Sequence, residues 1–154
     1  FPNGVHLAEV EIDPETGGLV LDRYSVVDDF GVLVAPNLVE GQVHGGIAQG
    51  FGQAVTEWLV QDDTGQVLAA TFMDYGMPRA SDLPMFSFSE QGIPTRTNPL
   101  GMKGCGEAGT VGALGAISNA VRDALAPVGV ARVDMPFTPH RIWTWIEEAR
   151  HASS

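Results

Sequence analysis

Hydrophobic and polar residues alternate near the start of the chain. Ala8, Val10 and Ile12 alternate with acidic residues, which is typical of a strand with one buried face. Residues 13–18 include a proline and two glycines, the composition of a turn. We therefore expect an amino-terminal β-hairpin in which residues 19–27 form the returning strand. Asp28 and Asp29 would then be a solvated strand end.

A helical repeat follows the hairpin. Apolar residues recur at every fourth position: Val39, Val43, Ile47, Phe51, Val55 and Leu59. The spacing of Asn37 and Glu40 is that of a capping box and predicts that the helix begins there. Gln42, Gln49 and Gln53 would lie along one face of this helix, where their amides can donate and accept hydrogen bonds.

Five glycines interrupt the same helix: Gly41, Gly45, Gly46, Gly50 and Gly52. Each internal glycine costs about 1 kcal/mol relative to alanine, so their presence requires a reason. A ligand approaching the backbone would supply one, and tight packing against another helix would supply another.

The segment 101–110 places one carboxylate, Glu107, among four glycines: Gly101, Gly104, Gly106 and Gly109. After it, apolar residues recur at steps of three and four residues, which predicts a second helix with one buried stripe: Val111, Leu114, Ile117, Val121 and Leu125. Glu107 would lie in the first turn, where the helix dipole favours its ionised form and burial favours its neutral form. A general base needs a balance of these two effects. The alternative is a helix-start residue beside a tight turn.

The remaining segments predict shorter elements. We expect a turn at 62–65, a strand at 66–72, an ordered loop at 74–84 and a short strand at 85–89. Pro127 should end the second helix at or just before Ala126. Thr138 and Pro139 predict the start of a last helix, with Trp143 and Trp145 closing the edge of the core and residues 151–154 fraying.

Together these patterns predict an α+β fold with an amino-terminal β-hairpin, two long glycine-containing helices, short strands between them and a carboxy-terminal helix. The chain has 154 residues, of which 44% are hydrophobic, and residues 1–154 fit one domain segment.

The charge balance argues against several functions. The chain has 19 acidic and 8 basic residues, a net charge of -11, and lacks the basic clusters that bind nucleic acid or anionic membranes. No apolar run is long enough to span a bilayer.

Cys105 is the only cysteine, which excludes an internal disulfide and fits a reducing, cytoplasmic compartment. The four histidines lack metal-ligand spacing, so we expect no metal held directly by protein side chains.

Three runs carry a family resemblance: VEGQVHGGIAQGFGQAVTE, TFMDYGMPRASDLP and TNPLGMKGCGEAGTVGA, in that order. They resemble the carboxy-terminal part of the molybdopterin-binding large subunit of xanthine dehydrogenase-type molybdenum hydroxylases. Within this family, which also includes aldehyde oxidase, they look most like the carbon monoxide dehydrogenase large-chain branch. The opening run FPNGVHLAEVEIDPETG is similar to the same family. The resemblance thus covers nearly the whole chain and implies a segment of a larger molybdopterin-binding domain.

The resemblance implies an oxidoreductase in which a molybdenum-bound hydroxyl attacks an electron-poor carbon. Glu107 matches the family glutamate that acts as base on that hydroxyl, and Gln49 matches a glutamine that hydrogen-bonds the pterin. Lys103, Gly104 and Gly106 match the loop that shapes the cofactor site.

The implied cofactor is molybdenum-molybdopterin in its cytosine dinucleotide form. The implied partners are the remainder of the large subunit and separate subunits that carry iron-sulfur clusters and FAD. The substrate would be carbon monoxide, an aldehyde or an N-heterocycle, and the family's substrate-selecting loop would lie upstream of Phe1. The isolated segment is therefore expected to be inactive.

Two positions depart from the family pattern. Cys105 stands where relatives often carry a small aliphatic residue, and Ala35 precedes Pro36 where asparagine is common. Both departures leave Glu107 and Gln49 in place. The alternative function is a scaffold or interaction domain of a relative that has lost its redox chemistry.

Overall fold

The computed structural model describes residues 1–152. Its strands are β1 (Asn3–Ile12), β2 (Leu19–Asp29) and β3 (Ser87–Glu90), and its α-helices are α1 (Pro36–Phe51), α2 (Ala108–Leu125) and α3 (Pro139–Ala152). A π-helical turn at Gly52–Thr56 extends α1, and 3₁₀ turns lie at Ala80–Asp82 and Ala126–Val128. This arrangement confirms the predicted α+β fold class.

The sheet has the order β1-β2-β3, so β2 is its central strand. β1 and β2 pair antiparallel as the predicted hairpin, with a register shift between Glu9 and Val10. β2 and β3 pair in parallel. β1 begins earlier than the alternating residues indicate and β2 ends later, because the two strands pair as far as Asn3 and Asp29.

The hairpin turn is closed by hydrogen bonds around Asp13. The Asp13 amide donates to the carbonyl of Gly18 (2.9 Å), and the Asp13 carboxylate accepts from the Glu15 amide (2.9 Å). Gly17 has a φ of 70°, and a Cβ there would collide with the carbonyl of Pro139. The turn can therefore pack directly on the first residue of α3.

The core lies where α2 packs against both α1 and β1. It contains residues from each helix and from the central strand, all 1% exposed or less: Tyr24, Val26, Val43, Ile47, Ala113, Ile117, Val121, Ile142 and Ile146. The stripe predicted for α2 is correct from Leu114 onward, since Leu114 is partly buried against the core and Ile117, Val121 and Leu125 are buried. Its first member, Val111, is 67% exposed, and Ala113 takes the buried position in that turn.

Several predicted boundaries were wrong. Residues 66–72 form no strand. Only a single bridge joins Gln61 to Val67, and Phe72 is 74% exposed. β3 is present, but it begins at Ser87.

The predicted capping box at the start of α1 is absent, because α1 begins at Pro36 with Ala35 before it and has no side-chain cap. Proline is well suited to the first helical position, so Asn37 falls inside the first turn.

The helix ends give a mixed outcome. α2 ends at Leu125 and α3 begins at Pro139, as predicted. α1 proper ends at Phe51, and Leu59 lies outside it with 55% exposure. His151 belongs to α3, so the predicted fraying is wrong there, while residues 153–154 lie outside the described part of the chain.

The two tryptophans of α3 have different environments. Trp145 packs edge-on against Phe137, with ring centroids 6.4 Å apart, and the Arg141 guanidinium lies 5.1 Å above its ring. It therefore closes the core edge as predicted, whereas Trp143 is 41% exposed. Within residues 1–152 no helix is both long and apolar enough to cross a membrane.

Candidate functional site

The bend before α2 is held by backbone contacts to distant segments. Gly101 has a φ of 69°, and its carbonyl accepts from the Val32 amide (3.1 Å). The Asn98 side chain donates to the carbonyl of Met102 (2.9 Å). Gly104 and Gly106 have no positive φ, so the backbone freedom of glycine is needed only at Gly101.

Asp29 anchors the same bend from the end of β2. Its carboxylate accepts hydrogen bonds from the Lys103 ammonium, the Gly31 amide (3.0 Å) and the Ile93 amide (3.0 Å). The bond from Lys103, followed by that from Ile93, lowers the pKa of Asp29 to about 2. Lys103 therefore positions the segment that leads into Glu107.

The prediction of a solvated strand end at Asp28 and Asp29 was wrong. Asp28 is 2% exposed and Asp29 is 6% exposed. Paired acids at a strand end are usually solvated, but these two have partners from distant segments: Lys103 reaches Asp29 and His6 faces Asp28. Local sequence shows neither partner.

Glu107 occupies the position immediately before α2, one residue outside the predicted first turn. It is exposed, and within residues 1–152 no group hydrogen-bonds its carboxylate. No side chain caps the first turn of α2, so the positive end of the helix dipole lies beside this carboxylate. Glu107 is therefore available to a group that approaches from outside the chain.

Two of the three predicted glutamines join α1 to this bend. The Gln42 amide donates to the carbonyl of Gly106 (2.8 Å), and the Gln49 side-chain oxygen accepts from the Thr110 hydroxyl (3.1 Å). Gln53 is exposed in the π-helical turn after α1. Thr110 is a contact that the sequence reasoning missed, although its place in the glycine-rich motif could have suggested it.

The glycines separate into two groups. Gly46, Gly50 and Gly109 allow α1 and α2 to touch: a Cβ on Gly46 would lie 2.9 Å from the Thr110 nitrogen, and one on Gly50 would lie 2.7 Å from the Ala113 Cβ. For these three, tight helix packing is the correct explanation.

The second group faces open space. No described atom lies within 4 Å of a Cβ built on Gly41, Gly45, Gly104 or Gly106. Packing within this chain therefore does not require glycine at these positions. Gly104 and Gly106 flank Cys105 directly before Glu107, so the unfilled space lies beside the candidate base.

Comparison with known proteins identifies the family. The model of the molybdopterin cofactor-binding domain matches residues 1–84. This chain belongs to that family. The carbon monoxide dehydrogenase large chain of Hydrogenophaga pseudoflava is 36% identical over 148 residues, which cover 96% of this chain and 18% of that relative. The nicotine 6-hydroxylase large subunit of Paenarthrobacter nicotinovorans is 38% identical over 142 residues, 92% of this chain and 17% of that relative.

Solved structures of the family contain the same fold. A Cu,Mo-CO dehydrogenase matches with a TM-score of 0.93 and 35% identity, covering 97% of this chain and 19% of that one. Quinoline 2-oxidoreductase from Pseudomonas putida 86 matches with a TM-score of 0.92 and 40% identity, covering 96% and 19%. This chain thus matches a segment of the molybdopterin-binding large subunit and spans less than a fifth of these relatives.

The residues near Glu107 fit a molybdopterin. Gly104 and Gly106 are exposed and leave their backbone open to an approaching group, and the uncapped start of α2 favours anionic groups such as phosphate. The Gln49 amide nitrogen remains available, since only the side-chain oxygen is bound by Thr110. An amide nitrogen can donate two hydrogen bonds, which suits a heteroatom-rich ring.

Proposed function

We propose that this chain supplies the catalytic base and part of the cofactor site of a molybdenum hydroxylase. The observation that carries the proposal is the position of Glu107. Its carboxylate lies at the uncapped start of α2 without a hydrogen-bond partner among residues 1–152. It also lies beside the space left by Gly104 and Gly106, and the bend that precedes it is fixed by Lys103 and Asp29.

Each residue has a separate role in this proposal. When bound, the molybdenum cofactor would accept the electrons released by the hydroxylation and would act as a Lewis acid on the oxygen that is transferred. Glu107 accepts, at a carboxylate oxygen, the proton that leaves the water-derived oxygen. The Gln49 amide hydrogen-bonds the pterin, and Gly104 and Gly106 leave room for it. Lys103 acts through Asp29 by holding the bend in place.

The substrate and partners follow from the relatives. The names of the relatives include carbon monoxide, nicotine, quinoline and aldehyde, so we propose carbon monoxide, an aldehyde or an N-heterocycle as substrate. A 6-hydroxypseudooxynicotine dehydrogenase complex subunit of Paenarthrobacter nicotinovorans is 37% identical over 145 residues. That relative is part of a complex. We propose that this chain acts with the rest of a large subunit and with iron-sulfur and FAD subunits, in the cytoplasm, on a cytosine dinucleotide form of the cofactor.

The test compares wild type with Glu107→Gln in the full-length subunit and its partners. The variant should retain molybdenum and pterin, while dye reduction with carbon monoxide, aldehydes or N-heterocycles falls about 10²- to 10⁴-fold, the usual contribution of a general base. Glu148→Gln is the matched control, because Glu148 is exposed on α3, and should keep full activity. Full activity of Glu107→Gln would exclude Glu107 as the base, and a wild type that binds no molybdenum would favour the scaffold alternative.

A further inference from the structure

A chain of three buried polar residues lies between β1, β2 and the start of α2. The Nδ1 atom of His6 is 2.7 Å from the Tyr24 hydroxyl, and its Nε2 atom is 3.5 Å from Oδ1 of Asp28. Tyr24 is 0% exposed and Asp28 is 2% exposed, and the His6 side chain is 7% exposed. No local pattern in the sequence connects these residues.

Tyr24 is a neutral partner for His6. Burial and then the charge of Asp28 raise the pKa of Tyr24 well above its usual range, so its hydroxyl keeps its proton. The hydroxyl and Nδ1 of His6 share a hydrogen bond whose direction depends on the ring tautomer, and Nε2 faces Oδ1 of Asp28. The other oxygen of Asp28, Oδ2, is buried and has no hydrogen-bond partner among the described residues.

A pocket of about 330 Å³ opens beside Asp28, between the start of β1 and the start of α2. Its described lining includes two carboxyl side chains, Asp28 and Glu107, and contains no lysine or arginine. Apolar surface, including Val111, lines the rest. The pocket thus combines a buried acceptor, a net negative charge and an apolar wall.

Two glycines make room for this arrangement. A Cβ on Gly4 would collide with Oδ1 of Asp28, and a Cβ on Gly112 would lie 2.5 Å from Nε2 of His6. Both glycines line the pocket. The backbone on each side is therefore fitted closely to the His6 and Asp28 side chains.

A carboxylate oxygen that is buried without a donor destabilises a protein unless a donor reaches it. We propose that this pocket receives a cationic side chain, an arginine guanidinium or a lysine ammonium, from the part of the large subunit outside this chain, and that it pairs with the carboxylate of Asp28. This inference does not depend on Glu107 being a base.

The rest of the subunit is the favoured source for two reasons. This chain covers only 18% and 17% of two large-subunit relatives, so most of such a subunit is available to pack around it. The lining also suits a basic side chain, whose apolar stem can lie along Val111 while its charged end meets the carboxyl groups of Asp28 and Glu107.

The first test is an experimental structure of the full-length subunit with its partners. The expected result is a lysine or arginine nitrogen within about 3.2 Å of a carboxylate oxygen of Asp28. A water molecule, a backbone amide, a free small molecule or an empty pocket at that position would overturn the inference.

The second test uses unfolding rates to measure the interaction between Asp28 and the lysine or arginine found in the first test. Asp28→Asn and replacement of the cation by methionine should each raise the unfolding rate of the full-length subunit about tenfold, and the double variant should unfold no faster than the faster single variant. Asp123→Asn, at an exposed acid of α2, should leave the rate unchanged. Additive effects of the two substitutions would contradict the pairing. Neither test involves Glu107→Gln, so the two proposals fail independently.

Discussion

Gly112 determines how closely α2 approaches β1. A Cβ on this residue would lie 2.5 Å from the His6 ring, which is held by Tyr24 on its other side. Overpacking of this kind costs about 1–3 kcal/mol. We therefore expect Gly112→Ala to lower the free energy of unfolding, despite alanine's higher helix propensity. Urea denaturation followed by far-UV circular dichroism measures the change.

Gly115 provides the matched control for this substitution. It lies one turn further along α2, is exposed, and a Cβ added there would have no described atom within 4 Å. Gly115→Ala should raise the free energy of unfolding by about 1 kcal/mol. Equal effects of the two substitutions would show that the His6 contact does not limit the helix position.

The free energy of unfolding should depend on pH because of Asp29. Its pKa is about 2, below the ordinary 3.8, chiefly because the Lys103 ammonium hydrogen-bonds it. The unfolded chain therefore binds the proton first as the pH falls, and the stabilisation by this carboxylate is complete above about pH 5 and lost towards about pH 2.

The stability difference between wild type and Asp29→Asn should accordingly be largest at neutral pH and shrink as the pH falls through that range. Denaturation curves at pH 7, 4 and 3 measure it. The exposed acid Asp123 serves as the control, since Asp123→Asn should give a small difference at every pH. A constant difference for Asp29→Asn would refute the role of its ionised form.

At the scale of elements, the contact between α1 and α2 depends on individual glycines. Gly46→Ala would place a Cβ 2.9 Å from the Thr110 nitrogen, and α2 would have to move away from α1. We expect a loss of about 1–3 kcal/mol in the free energy of unfolding. Gly45→Ala, where the described chain leaves open space, should be neutral or stabilising by up to about 1 kcal/mol. Thermal unfolding of the two variants side by side tests this.

Elements with a strong local pattern were predicted from sequence, and those that depend on distant partners were not. The hairpin and the last two helices carry alternation, periodicity and end signals within their own residues. Residues 66–72 resemble a strand locally, but no described strand pairs with them beyond the bridge at Val67. The burial of Asp29 requires Lys103, which follows 74 residues later, so no local pattern could reveal it.

The candidate site shows the same division. The family resemblance of the motif around Glu107 predicted a catalytic base there, which stays a prediction. The structure does bring α1 to α2 beside Glu107, through Gln42 and Gln49. His6 was overlooked because a single histidine in a strand carries no signal. Only the pairing of β1 with β2 and the packing of α2 on β1 bring it to Asp28.

At the scale of the whole molecule, both proposed sites lie at the start of α2 and both are incomplete within this chain. Glu107 has no hydrogen-bond partner among residues 1–152, open space remains beside Gly104 and Gly106, and Oδ2 of Asp28 lacks a donor in the described chain. The chain spans 18% of a related large chain. Its residues can therefore contact a cofactor from one side only.

We therefore expect the isolated 154-residue chain to retain no molybdopterin and to show no turnover, even when circular dichroism shows that it is folded. A cofactor with contacts on one side loses most of the burial and hydrogen bonding that offset the entropy lost on binding. Molybdenum and pterin contents of the isolated chain, compared with those of the full-length subunit after identical purification, measure this. If the folded isolated chain held one cofactor per chain, residues 1–154 would form a complete site. That result would contradict the incomplete site inferred from the open space at Gly106 and from the absence of a hydrogen-bond partner for Glu107 among the described residues.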